Sequence, residues 1–337
     1  MARVLIKNAS NPNPPNLIIN GAMDFWQRSI SVSTSTNRTY CTADRFMIGG
    51  SGGSGGCLAT RSTTVPNSQF KYSVQQVENG DASGNSLVAA QRIEAANIRP
   101  YIGKTMTLSL WLRFTGFLPV PQLIISTPTN VAEDSWQTNE PLGEVNQFTY
   151  LPSVTLGVWT RVSYSFVVPA AAVNGLQVML ATQAYTGTPT MNHTGWMLTE
   201  GPAAPANFYR AGKTIQDEMA MCQRYAVNPQ LDDSGSSASY GTGAARSATE
   251  ARIMIPLPVT MREPPSLDAS SSAASNFALI TAAGATQAAT AIAVSTTGTG
   301  HTMVHLTVNT AAGLVAGGST YLFKVGATNK LLFTAEL

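Results

Sequence analysis

The segment Thr105–Leu112 reads TMTLSLWL. Met106, Leu108, Leu110 and Leu112 share one side, and Thr105, Thr107 and Ser109 share the other. That period of two makes a strand with one face on a core. Thr160–Val168 repeats the pattern with Val162, Tyr164, Phe166 and Val168 inward. Leu176–Thr182 repeats it with Leu176, Val178 and Leu180, and Phe70, Tyr72 and Val74 make a shorter set. Turn clusters such as Asn79-Gly80-Asp81 and Asn174-Gly175 separate the runs. Short strands punctuated by Gly, Pro and Asn, with no helix between them, predict an antiparallel sandwich or jelly roll over residues 16–212.

The period changes at Lys213–Ala226. Ile215, Met219, Cys222 and Ala226 fall at i, i+4, i+7 and i+11, which predicts a helix of about three turns. Thr214 is placed to cap it, Asp217 and Glu218 lie in its first turns, and Arg224 lies in its last, as the helix dipole favours. Asp232–Ala248 is rich in Ser, Gly and Ala and reads as a loop or sparse hairpin. Ile253, Ile255, Leu257, Val259 and Met261 then alternate with Met254, Pro256, Pro258 and Thr260; the two prolines mark an edge or a bulge. Phe277–Thr281, Ala291–Ser295, Thr302–Asn309, Tyr321–Val325 and Lys330–Thr334 add short strands. The expected architecture is all-β: a jelly-roll β-sandwich over 16–212, a connecting helix over 213–226 and a smaller C-terminal β-sandwich over 227–337.

Composition agrees. Of 337 residues, 44% are hydrophobic and 11% are charged, against about 25% charged in an average domain. A coiled coil or salt-bridged helical bundle needs more Glu, Lys and Arg on its wet faces. Twenty basic residues against 18 acidic ones give +2. No basic cluster marks a nucleic-acid interface, and no run of about 18 apolar residues marks a membrane span. The opening MARVLIKNASNPNPPN lacks the apolar centre of a signal peptide, so synthesis in a cytosol is expected. There the three cysteines, Cys41, Cys57 and Cys222, are expected to be free thiols. Residues 1–15 read as an extended arm: Val4, Leu5 and Ile6 could add a strand to a partner, and Pro12, Pro14 and Pro15 forbid helix.

Chemical motifs are sparse. Gly50, Gly52 and Gly55 formally spell GxGxxG, but the following CLATRSTTV is strand-like, so a loop between strands is expected. His301 and His305 fall on an alternating segment. On a strand they stand about 13 Å apart, too far to share a zinc ion. Cys222 sits on the helix's apolar stripe, as a core thiol does. Asp24, Asp44, Glu78, Asp81, Glu94, Glu133, Asp134, Glu140 and Glu144 lie in the first β unit, and spacing pairs none of them across a cleft. No spacing assigns a metal, and no catalytic residue or cofactor is expected. One binding hypothesis remains. Trp136 stands in the polar stretch TNVAEDSWQTNE and, with Tyr150 and Tyr185 near turn signals, suggests a sugar-stacking platform. Burial in a loop cluster or subunit contact is the alternative.

Asn16–Arg28, NLIINGAMDFWQR, followed by Thr42–Phe46, TADRF, resembles the opening of a family of bacteriophage and prophage virion proteins. Gly157–Pro169 (GVWTRVSYSFVVP), Gly195–Arg210 (GWMLTEGPAAPANFYR) and Glu218–Tyr225 (EMAMCQRY) fit that pattern in order. The resemblance spans about residues 16–225. It implies a tail-fibre-like appendage with a carbohydrate-binding-module-like jelly roll. It further implies a virion structural role, a homotrimer, and attachment to a host surface glycan as receptor, and it carries over no catalytic residue. Two other readings stay open: a capsid-surface fibre or decoration protein, and a glycan-degrading tailspike-like enzyme. The tailspike would usually show a long β-helical repeat, and none is found. The expected location is the virion, assembled in the host cytoplasm, with the arm docking to other virion proteins.

Overall fold

The computed structural model describes residues 14–34, 38–51, 56–79, 86–136, 144–151, 153–229, 239–268, 271, 273–326 and 330–337. Val4, Leu5 and Ile6 of the expected arm lie outside them. Twelve strands build the first unit: β1 (Ser31–Ser33), β2 (Thr39–Tyr40), β3 (Met47–Ser51), β4 (Gly56–Ser62), β5 (Ser73–Asn79), β6 (Ser86–Ile93), β7 (Thr105–Thr115), β8 (Pro121–Thr127), β9 (Glu144–Tyr150), β10 (Thr160–Val167), β11 (Leu176–Thr182) and β12 (Thr190–Glu200). They form two six-stranded sheets, β1-β4-β5-β12-β7-β10 and β2-β3-β6-β11-β8-β9, with every pairing antiparallel. The inward positions read from the sequence meet between the sheets. Met106, Leu108, Leu110 and Leu112 face Leu176, Val178 and Leu180 in one buried cluster with Phe46, Phe114 and Trp196. The glycine-rich stretch joins β3 to β4, and no helix follows it, so it is not a dinucleotide-binding loop.

The opposite face of β7 is not wet. Thr107 and Ser109 are buried because residues 201–208 lie across that sheet. Thr107 Oγ1 donates to the Gly201 carbonyl at 2.7 Å, and Arg161 reaches the carbonyls of Pro205 and Ala206. The outer face of the second sheet also holds a buried row: Met47, Ala90, Met179 and Ile124, in direct cross-strand register.

One polar bridge crosses the sandwich core. Trp196 Nε1 donates to His193 Nδ1 at 3.0 Å, so the proton sits on His193 Nε2, which faces Gln76 Oε1 at 3.3 Å. Gln76 in turn donates to the Val88 carbonyl of the other sheet at 3.0 Å. Every polar atom of the buried ring is thereby satisfied.

A four-residue helix, α1 (Ala95–Ile98), closes one end of the sandwich, and α2 (Ile215–Gln223) leads out of it. Thr214 accepts from the Asp217 amide, and Asp217 reaches back to the Thr214 amide, a complete capping box. The remaining strands are β13 (Ala226–Val227), β14 (Ser239–Ala245), β15 (Glu250–Pro256), β16 (Ser266–Leu267), β17 (Phe277–Thr281), β18 (Thr286–Val294), β19 (Met303–Thr310), β20 (Ser319–Lys324) and β21 (Phe333–Thr334). Six of them close into a barrel, β14-β15-β19-β18-β17-β20. The sequence anticipated a smaller sandwich here; closure comes from Ser239–Ala245, which pairs with both β15 and β20. Its alternation is invisible in sequence because its inward positions after a bulge are Gly241, Gly243 and Ala245. No described helix is long and apolar enough to cross a membrane.

The two units are joined by a small sheet, β13-β21-β16, and by buried charge. Arg45 pairs with Glu336, donates to the Arg92 carbonyl at 2.7 Å and lies over the Tyr225 ring. Arg28 stands 3.1 Å from Glu336 and 3.5 Å from Asp268. Asp44 accepts from the backbone and side chain of Gln27 at 2.9 and 2.8 Å. Burial pushes its carboxyl up to about 6 despite Arg28 and those hydrogen bonds. The left-handed Asn20 (φ 59°) holds the NGAM turn through bonds to Phe25 and to the Asp44 carbonyl, while its amide donates to buried Glu218. The segments NLIINGAMDFWQR, TADRF and EMAMCQRY thus converge on one node between sandwich, helix and barrel.

Candidate functional site

The three sequence-predicted aromatic residues separate into two places. Trp136 lies beside the Leu176 end of β11, where Asp134 accepts from the Ala95 amide at 2.7 Å. Tyr150 and Tyr185 lie at the Thr182 end, since Tyr150 is in register with Gln122 and Pro121 with Thr182. Six strand residues, about 20 Å, separate the ends.

Trp136 is half-buried, not the free-standing ring the polar sequence suggested. The Arg92 guanidinium lies 4.4 Å from its ring centre. Arg92 is itself fixed to Gln177 Oε1 at 3.2 Å and to the Leu337 carbonyl at 2.7 Å. One face of the indole is therefore occupied by a buried cation–π contact. Tyr185 is buried, 6% exposed. Burial raises its phenol, and the neighbouring Glu78 carboxylate raises it further.

Tyr150 is different. It is 45% exposed and Phe148, two residues before it on edge strand β9, is 50% exposed. Their rings meet edge to face at 5.4 Å. Gln183 Nε2 donates to the Tyr150 hydroxyl at 3.1 Å. The Gln183 amide donates to the Val120 carbonyl at 2.9 Å, which ties the β11–β12 loop to the β7–β8 loop. Phe117, Leu118 and Val120 on the second loop are exposed. They border an open hollow of about 420 Å³ shared with Ala184, Tyr185 and Thr186. Phe117 packs against Tyr185 with ring centres 6.2 Å apart. Two glycines permit this loop pair. Gly116 has φ +78° and faces the Thr188 carbonyl, and a Cβ on Gly187 (φ +146°) would enter the Phe117 ring.

The result is an exposed aromatic pair and an apolar hollow linked through Gln183. A flat apolar face beside amide donors and acceptors suits the C–H face and hydroxyl rim of a sugar. None of the named surface residues is acidic. Sequence reasoning found Tyr150 but missed Phe148, Phe117 and Gln183. The available signal was FTY, two aromatics at strand spacing beyond the polar Asn146-Gln147. Among the described residues no three His, Cys, Asp or Glu side chains are grouped to hold a metal ion.

No protein-family model and no curated protein matches the chain. Among solved structures it is similar to the enzymatically active domain of tailspike protein 4 of bacteriophage CBA120, at 14% identity and TM-score 0.34 over 55% of this chain and 21% of that one. It is also similar to TmCBM61 in complex with β-1,4-galactotriose, at 10% identity and TM-score 0.33, over 55% and 99% of the two chains. A third is an arabinose-bound α-L-arabinofuranosidase, MgGH51, at 16% identity and TM-score 0.35, over 63% and 30%. The chain thus spans about a fifth of the tailspike chain and under a third of the arabinofuranosidase. Similarity at this level transfers neither ligand nor activity.

Proposed function

We propose that the chain is a tail-fibre-like structural subunit of a bacteriophage virion whose sandwich attaches to a host surface glycan without cleaving it. The observation that carries the glycan reading is the exposed Phe148–Tyr150 pair with Gln183 on the Tyr150 hydroxyl. The virion reading and a homotrimer are supported by the sequence resemblance over residues 16–225, and docking of residues 1–15 to other virion proteins by the apolar Val4, Leu5 and Ile6 set apart by Pro12, Pro14 and Pro15. A shallow stacking site binds weakly, and copies on one fibre raise its effective concentration. Retaining or inverting hydrolysis needs two carboxyl groups flanking the bond; among the described residues named on the aromatic surface none is acidic, and Glu78 stands beside buried Tyr185.

The test is adsorption of purified protein to host cells and to their extracted polysaccharide. A Phe148→Ala/Tyr150→Ala variant is expected to fold normally and lose adsorption. Unchanged adsorption would refute the site, and shortened glycan products would refute the non-hydrolytic reading.

A further inference from the structure

The barrel has a concave surface of its own. Strand β14 carries Gly241, Gly243 and Ala245 at its inward positions. A Cβ on Gly243 would stand 1.8 Å from the Arg252 carbonyl oxygen, and one on Gly241 would stand 2.5 Å from that of Met254. With no side chains beneath it, this part of the wall sinks against β15. Above it lies an open trough of about 810 Å³, within the range of ligand sites. Cross-strand register gives its profile: Ile280, Tyr321, Thr242, Met254 and His305 form one row across five strands. The small Thr242 is the floor, Tyr321 is one wall and Met254 the other. Tyr321 and Met254 are both exposed.

We infer that this trough is a second, independent saccharide site, selective for glycans that bear a carboxylate. Tyr321 supplies a ring for the apolar face of a sugar. Hydroxyls of Thr242 and Ser319, both lining the trough, match sugar hydroxyls. Arg252 is the one charged residue among those described that line it. Its Nε faces Glu250 at 3.3 Å and its Nη1 faces Ser295 at 3.2 Å. Those contacts orient the guanidinium, and its Nη2 makes no hydrogen bond among the described residues. Arg252 stands two strands from Tyr321, across β14, with its guanidinium turned toward Ser295, so its spare donor would take a carboxylate on a sugar unit next to the one stacked on Tyr321. This site is separate from Phe148 and Tyr150 and does not depend on the role proposed for them.

The experiment uses the full chain carrying Phe148→Ala and Tyr150→Ala, so that only the barrel is read. Titration with 3′-sialyllactose and tri-galacturonate, against lactose and maltotriose, is expected to show binding of the acidic sugars alone. Tyr321→Ala should weaken it by about tenfold. Arg252→Gln should abolish the preference for acid, and salt should weaken binding of the acidic sugars. Thr242→Trp, which fills the floor, should abolish binding and serves if Tyr321→Ala fails to fold. Equal or absent binding of acidic and neutral sugars would overturn the assignment. So would a change in oligomeric mass on Tyr321→Ala, which would make the trough a contact between copies.

Discussion

The Arg45 guanidinium lies 3.5 Å from the centre of the Tyr225 ring, stacked on it while its edge grips Glu336. Sandwich, helix exit and C-terminal segment are thus locked through one fully buried side chain. Removing one member of a buried ion pair leaves the other charge uncompensated. Glu336→Ala is therefore expected to cost about 3–5 kcal/mol. Arg45→Lys should recover little, because an ammonium cannot stack and fork at once. Thermal unfolding measures both; a melt within a degree of the parent would exclude this role.

Trp136→Ala is expected to lower stability by about 1–2 kcal/mol, from lost packing and the desolvated cation–π contact with Arg92. Adsorption to glycan should not change. Tyr150→Ala should do the reverse, with an unaltered melt and weaker adsorption. If Trp136→Ala keeps full stability and loses adsorption, the two assignments are exchanged.

Acid should act on two buried groups with opposite signs. Burial lowers His193 to about 3, below its unfolded value of about 6.5. Its contribution is complete above about pH 6.5 and is lost as pH falls, about 2 kcal/mol by pH 5. Asp44, raised to about 6, behaves oppositely: its burial is least costly when protonated, so it gains stability as pH falls from 7 toward 4. The parent melt should therefore change little between pH 7 and 5. Asp44→Asn, which keeps His193 and deletes the compensating group, should fall more steeply over that range. Parallel curves would show that Asp44 does not titrate there.

Gly21→Ala should be poorly tolerated. Its Cβ would stand 2.1 Å from the Trp196 carbonyl oxygen, and that backbone is held by the Trp196 amide bonding back to Gly21 at 3.0 Å. A loss of at least about 2 kcal/mol is expected in chemical denaturation.

The sandwich was legible where one face of a strand is apolar. Leu176–Thr182 and Phe277–Thr281 fall where their alternation puts them, and Thr214 caps the helix as its position suggests. Ser239–Ala245 was not legible, because a strand whose core positions are glycines has no hydrophobic period to read. The candidate site was half legible. Tyr150 carried a local cue, whereas the fate of Trp136 is decided by Arg92, 44 residues away on β6. Polar sequence neighbours say how a segment is wetted on average; they do not say which cation will lie on a ring.

The partners at the central node are far apart in time as well as in sequence. Arg45 leaves the ribosome 291 residues before Glu336, about 15–60 s earlier at about 5–20 residues per second. During that interval Arg28 and Arg45 lack the Glu336 carboxylate that pairs with them in the finished fold. Strands β13 and β16 likewise wait for Phe333–Thr334, which lies between them. Synthesis therefore proceeds through a nascent chain whose sandwich and barrel are tethered but not latched. Glu336 acts as the bolt, and the docked arrangement of the two units is acquired only once the chain through Glu336 has been made.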